Sequence, residues 1–438
     1  MSKRMSRRTF LTASGGGLVL ASAAALLGGG AIDPSGGARR VPLGGTPGVR
    51  AASGALAIRY WSALSGRAAR AEQAMVEAFN RSQGAVRVVL EHRGGYADTA
   101  RAYATATRNG GAPDLVMLSD TAWFSLQRAA LLAPLDRPAA DAEIVLGDFA
   151  PGLLNEGLHE RQRFWLPYAR STPLFFYNAD AWARAGLPER GPATWQEFQA
   201  WAPRLTGGGR AAFGHPQDAS TLSWLFQSVI WQFGGAYSTP DLRPTLAERH
   251  SLRAAQFYRD SVHDAGWARF SPDLRGDFLA GRVRSMLASS SALADVGASA
   301  GFRVGGSALP RESFGATLTG GAGLSLAAGA DPERQTAAMR YVAFATSPAN
   351  AARWTEATGA LPLRLSAQER PELRRLLSER PGLQTALDQL GQARPQDGLR
   401  TRTPAGDALI GAGLLRILAG GEPAKVWQDV AARLEPRG

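Results

Sequence analysis

The chain has 438 residues, a formal charge of +12 and no cysteine, a length sufficient for two domains with substantial cores. Without cysteine there are no disulfides, thiolate metal sites or cysteine nucleophiles. The basic excess is arginine apart from Lys3 and Lys425, and acidic residues are interspersed with it. No basic block with interleaved aromatics points to a nucleic-acid partner.

Near the start, Ser6-Arg7-Arg8-Thr9-Phe10-Leu11 precedes a small and weakly apolar stretch from Gly15 to Ala31. A basic segment, a modest apolar core and small residues describe an export signal, and the paired arginines indicate the twin-arginine route. Cleavage is expected between Ala23 and Ala55, so residues 1–55 read as signal peptide and flexible Gly/Pro/Ser-rich linker. With no cysteine to carry a lipid anchor, the expected product is soluble in a periplasm.

From Leu56 onward, short apolar strands alternate with amphipathic helices, the pattern of an α/β layered domain with a largely parallel sheet. Ala57–Trp61 reads as a strand, and Ala71, Ala74, Met75, Ala78 and Phe79 then recur at helical spacing. Val86–Leu90 is a second strand, Ala97–Arg108 a helix, and Leu115–Leu118 a buried strand after a Gly-Gly-Ala-Pro turn. Leu174–Tyr177 is a continuous apolar run too short for a helix and suited to a strand covered on both faces. Asn178 caps a brief helix ending at Gly186, and Thr194 with Glu197 forms a capping box for the next helix. That helix sets Trp195, Phe198, Ala202 and Leu205 along one face.

Further on, Leu222–Phe233 and Ser251–Ala265 read as helices, and Phe302–Leu309 and Thr319–Ala327 as strands. Ala337–Phe344, a Ser-Pro start at Ser347, Asp407–Leu418 and Pro423–Leu434 complete a helix-rich C-terminal part. There is no solenoid-type repeat. His92, His159, His215, His250 and His263 show no metal-ligand spacing. A P-loop and a nucleophile elbow are likewise missing, so no cofactor, metal or catalytic residue is expected.

The run Ser171–Phe198 resembles the segment where family 1 extracellular solute-binding proteins of ABC importers cross between lobes: a serine before Thr-Pro, a strand ending Tyr177-Asn178, then Ala185-Gly186-Leu187-Pro188 and Thr194-Trp195. The resemblance extends from about Tyr60 to Arg400 and is strongest to members that bind glycerol-3-phosphate. It is carried by Tyr60-Trp61-Ser62, Gly94-Gly95-Tyr96, Gly111-Ala112-Pro113 with Asp120, Arg170-Ser171-Thr172-Pro173, Ala288-Ser289-Ser290, Gly320-Gly321-Ala322 and Gly398-Leu399-Arg400.

The resemblance implies a two-lobed α/β periplasmic binding protein (type II-like), with a ligand cleft between lobes and three hinge crossings. Lobe one would comprise residues 56–169 and 320–348, and lobe two residues 170–319 and 349–438. The implied role is that of a monomeric binding component. It would take up glycerol-3-phosphate or a glycerophosphodiester such as glycerophosphocholine and deliver it unchanged to ABC permease subunits. A sugar-binding member of the same family, with Trp195, Trp224 and Trp231 carrying the affinity, is the alternative. An exported hydrolase or oxidoreductase is a remote one.

The ligand positions carried over are Tyr96, Asp120, Ser171, Trp195, Ser289, Gly321 and Arg400. Arg400 can fork two N–H donors onto phosphate oxygens. Ser171 and Ser289 offer hydroxyls, Gly321 a backbone N–H, and Tyr96 a phenol proton. Asp120 would accept from glycerol hydroxyls, unless it caps the helix beginning at Trp123. Trp195 would lay an apolar face on the ligand's carbons, or else pack in the core at its helix start. In Thr358-Gly359-Ala360-Leu361-Pro362 the family's aromatic is replaced by Ala360, which leaves room for a larger head group.

Overall fold

The computed structural model describes residues 54–435; the expected leader and nearly all of the linker lie outside that range. In chain order, the strands that build its two main sheets begin with β1 (Leu56–Ser62), β2 (Val86–His92), β3 (Leu115–Ser119), β4 (Leu132–Ala133) and β5 (Leu166–Ser171). They continue with β6 (Pro173–Asn178), β7 (Phe213–Pro216), β8 (Ala268–Ser271), β9 (Ser285–Ser289), β10 (Val304–Ser307) and β11 (Gly320–Ala327).

The first sheet has the order β2-β1-β3-β11-β4, with β5 also paired to β11. Strands β1, β2 and β3 are parallel, as helical crossovers require. The expected largely parallel sheet is nonetheless mixed, because β11 runs antiparallel to β3, β4 and β5. It enters from the opposite end, since the chain arrives there from the second lobe. The second sheet has the order β8-β7-β9-β6-β10, with β6 antiparallel to both neighbours. Leu174, Phe175 and Phe176 of β6 are fully buried, as their unbroken apolar run required.

Between β5 and β6 stands Thr172, which passes from one sheet to the other in a single residue. Its hydroxyl lies 3.1 Å from that of Thr317 and donates to the carbonyl of Leu318 at 2.9 Å. The outgoing and returning strands are therefore bonded side by side where they leave one sheet for the other. A further segment differs from the sequence reading. Trp354, Ala360 and Leu363 pack in the first lobe, because Trp354 stacks on Tyr168 with ring centroids 4.6 Å apart and Ala360 and Leu363 join the same core, while Leu361 between them packs with Leu174 and Phe176 of the second.

Helix α1 (Gly66–Ser82) covers the first sheet with Met75, Val76 and Phe79, and also buries Glu72. The Tyr60 hydroxyl donates to Glu72 Oε1 at 2.5 Å, while Oε2 lies 4.0 Å from His92 Nδ1. Burial pushes the Glu72 carboxyl up to about 7, against hydrogen bonds from Ser62 and Tyr60 that pull it down. Between its ordinary value of 4.5 and 7 the native state holds a proton that the unfolded state has released. Its contribution to stability is therefore present at pH 4.5 and lost as pH rises through 7, by about 3 kcal/mol in total. Glu72→Gln should flatten that part of the stability–pH profile, measured by urea unfolding at stepped pH. An unchanged slope would show that another group carries it.

Candidate ligand site

The site forms where the C-terminal ends of the first sheet's parallel strands meet the second lobe, with the sheet crossings at its base. Asp120 follows β3 directly. Its Oδ2 accepts from Arg170 Nη1 at 3.0 Å, the Gly321 backbone N–H at 3.0 Å and Gln396 Nε2 at 2.6 Å. Asp120 Oδ1 takes none of the hydrogen bonds among the described residues, so one acceptor oxygen stays available while three bonds to the other fix the carboxylate's orientation. The helix at Trp123 receives no side-chain cap, so Asp120 is not its N-cap.

Arg170, the penultimate residue of β5, has no solvent exposure. It sits between Asp120 and Glu156, donates to the Thr319 hydroxyl at 3.1 Å and lies 5.1 Å from the Trp165 ring centroid. Burial disfavours its charge, but Glu156 and Asp120 outweigh that and hold its pKa above the ordinary value. Burial pushes Glu156 up, with Arg170 and Thr319 opposing. A guanidinium this deep is tolerable only because both carboxylates attend it; removing one partner of such a pair costs about 3–5 kcal/mol.

Arg400 lies on the short turn Gly398–Thr401, opened by Asp397, whose carboxylate accepts from the Leu399, Tyr237 and Ser238 N–H groups and the Ser238 hydroxyl. These contacts pin the turn to the second lobe. Arg400 is 4 % exposed rather than a surface arginine. Its Nε donates to Ser223 Oγ at 3.1 Å and forms an ion pair with Asp407 Oδ1 at 2.9 Å, and its Nη1 donates to Gln396 Oε1. Its Nη2 makes no hydrogen bond among the described residues, which leaves N–H donors for a ligand.

The remaining expected positions divide. Tyr96, the first residue of helix α2 (Tyr96–Arg108), is partly buried. Burial first, then the charge of Asp120, pushes its phenol up to about 12, so it stays a donor. Ser289 donates to Ser171 Oγ at 2.8 Å and also accepts from the Ser291 N–H, joining the two lobes' serines. Gly321 belongs to the site differently from expectation, because its N–H is already given to Asp120. Its φ of +122° and a built Cβ 2.1 Å from the Ala169 carbonyl explain why glycine stands there.

Trp195 is the correction. It is 1 % exposed and packed edge-on against Phe175, Phe198 and Phe213, and its indole N–H donates to Gln232 Oε1 at 2.9 Å. The helix face that it shares with Phe198 is the core face, so its ring covers sheet two rather than a ligand. The aromatic beside the cleft base is Trp224, whose indole donates to the Thr319 carbonyl at 3.3 Å. A side chain at Gly320 would collide with that ring at 2.3 Å. Ala360 is 3 % exposed, so the room left by its small side chain is covered by protein in this conformation.

Arg170, Glu156, Ser223, Gln396 and Asp407 complete the site beyond the residues expected from sequence. Arg170 alone carried a usable signal, as a lone charge on an otherwise apolar strand. Gln396 and Asp407 gave none, since their meaning depends on partners far away in the chain.

This architecture, two sheets joined by bonded crossings with unspent polar groups between them, is that of a two-lobed binding protein. A family model described as bacterial extracellular solute-binding protein matches residues 74–379, and the chain belongs to that family of binding proteins. The solved structure of UgpB from Mycobacterium tuberculosis in complex with glycerophosphocholine is 37 % identical, covers 87 % of this chain and 98 % of its own, and has a TM-score of 0.83. The sn-glycerol-3-phosphate-binding periplasmic protein UgpB of Salmonella typhimurium is 25 % identical over 352 residues, 76 % of this chain and 80 % of its own. A cyclic α-maltosyl-1,6-maltose binding protein from Arthrobacter globiformis shares the fold, at 23 % identity over 87 % of this chain and 98 % of its own, with a TM-score of 0.75.

Trp195→Phe should cost about 1–3 kcal/mol of stability by leaving Gln232 Oε1 without its donor. Ligand affinity should change by less than about twofold if the ring lies only in the core. Calorimetric binding beside thermal unfolding separates the two effects; a large affinity loss at unchanged stability would return Trp195 to the site.

Proposed function

We propose that the protein is the periplasmic binding component of an ABC importer that captures a glycerophosphodiester, such as glycerophosphocholine, and passes it unaltered to the membrane permease. Export by the twin-arginine route as a soluble, non-lipidated protein is part of the same proposal. Its lobes would follow the two sheets, with the boundary after 348 moved into the segment 360–363, whose residues pack on both sides. The observation that carries the reading is the pairing of unspent groups: Arg400 Nη2 as donor on the second lobe, Asp120 Oδ1 as acceptor on the first. A phosphate oxygen suits the former and a glycerol hydroxyl the latter. Tyr96, Ser171 and Ser289 would supply further hydroxyls around them.

Charge argues for a diester over glycerol-3-phosphate. Three carboxylates, Asp120, Glu156 and Asp407, face two guanidiniums, Arg170 and Arg400, and Arg170 is enclosed by its partners. A doubly charged phosphomonoester would meet one half-neutralised arginine. A singly charged phosphodiester with a cationic head group fits that balance. The sugar alternative loses support because Trp195 and Trp231 are both buried in the core, leaving Trp224 alone of its three aromatics near the cleft base.

A thermal-shift panel of glycerophosphocholine, glycerol-3-phosphate and maltose tests this reading. A ligand at a hundred times its dissociation constant adds about 2.7 kcal/mol of stability. Glycerophosphocholine should give the largest shift and maltose none. Arg400→Ala should weaken glycerophosphocholine binding by about 10- to 100-fold, the worth of charge-assisted hydrogen bonds. A maltose response that survives Arg400→Ala would overturn the reading.

A further inference from the structure

Gln396 spends every hydrogen-bonding group of its side chain at the base of the cleft. Its Nε2 donates to Asp120 Oδ2 at 2.6 Å and to the Thr319 carbonyl at 2.8 Å, and its Oε1 accepts from Arg400 Nη1. The amide has one orientation that satisfies these neighbours: Asp120 and the Thr319 carbonyl only accept, and Arg400 only donates. Asp120 extends from the first sheet. Arg400 is anchored by Asp397 to Tyr237 and Ser238 of the second lobe. One neutral side chain thus connects the acceptor and the donor assigned to the ligand, and it uses neither Asp120 Oδ1 nor Arg400 Nη2.

We infer that Gln396 is a positioning residue that couples ligand recognition to lobe closure. The contact consists entirely of protein groups, so it favours approach of the lobes before any ligand adds its own interactions. A ligand then completes a bridge already half made, and less of its binding free energy goes into closing the lobes. Alanine removes both ends of the bridge. Glutamate keeps an acceptor for Arg400 but sets a carboxylate against Asp120, and so should hold the lobes further apart than alanine does.

The missing cysteines make the test direct. Thr105→Cys on α2 and Gln256→Cys on the second-lobe helix Arg249–His263, both exposed, accept spin labels without a competing thiol. In protein without ligand, the labelled parent should show a short-distance population. Gln396→Ala should reduce it and Gln396→Glu should abolish it, while saturating glycerophosphocholine restores it in Gln396→Ala. Glycerophosphocholine affinity should fall about tenfold in Gln396→Ala, beyond the stability lost with its hydrogen bonds to Asp120, Thr319 and Arg400. Distance distributions indistinguishable among the three proteins would overturn the inference, as would a parent population that is wholly long. The inference rests on Asp120 and Arg400 as ligand residues, and the two fail separately. If glycerophosphocholine does not bind but the distances shift, the ligand reading is wrong and the bridge stands.

Discussion

A buried guanidinium cannot be left alone, and Arg170 dictates what surrounds the base of this cleft. It lies at the end of β5, one residue before Ser171 and two before the crossing residue Thr172. To be tolerated there it needs Asp120 from the end of β3, Glu156 from the segment before β5 and Thr319 from the approach to β11. Those requirements gather the ends of three strands at one point. They also turn Asp120 so that one oxygen is fully engaged and the other is not. The acceptor proposed for the ligand is therefore a by-product of satisfying a structural charge.

The second lobe reaches the same point by different means. Asp397 organises the turn that carries Arg400, and Ser223 and Asp407 set the plane of its guanidinium. Each side of the cleft thus holds one polar group rigidly and leaves part of it unspent. Preorganisation of this kind lowers the ordering cost of binding, since neither group must be immobilised when the ligand arrives.

Much of the fold was legible in local chemistry. Asn178 and Thr194 cap their helices as their side chains suggest, accepting hydrogen bonds from the Ala181 and Glu197 N–H groups. The Leu174–Tyr177 run is a central strand for the reason its composition gives. The mixed first sheet was not legible, because strand direction depends on where β11 enters, and alternation of strands and helices does not encode that. Phe213–Pro216 and Ala268–Ser271 carry little strand signal: each is four residues long, and neither makes an unbroken apolar run. Among the site residues, Trp195 shows how periodicity and family resemblance can disagree. Its spacing with Phe198 and Ala202 described a core face, and the core is where it lies. Gln396 and Asp407 are ordinary polar residues until distant parts of the chain give them partners.

The Arg400–Asp407 pair also bears on salt. A free arginine in a basic protein attracts anions over a range set by the Debye length, about 8–10 Å at ordinary ionic strength, and loses that attraction as salt rises. With Asp407 2.9 Å from its Nε, Arg400 presents much of its charge as a local dipole instead. Despite the chain's overall charge of +12, the capture proposed for this cleft then depends on short hydrogen-bond geometry rather than long-range attraction. In the role proposed above, affinity of that origin persists as the ionic strength around the protein changes.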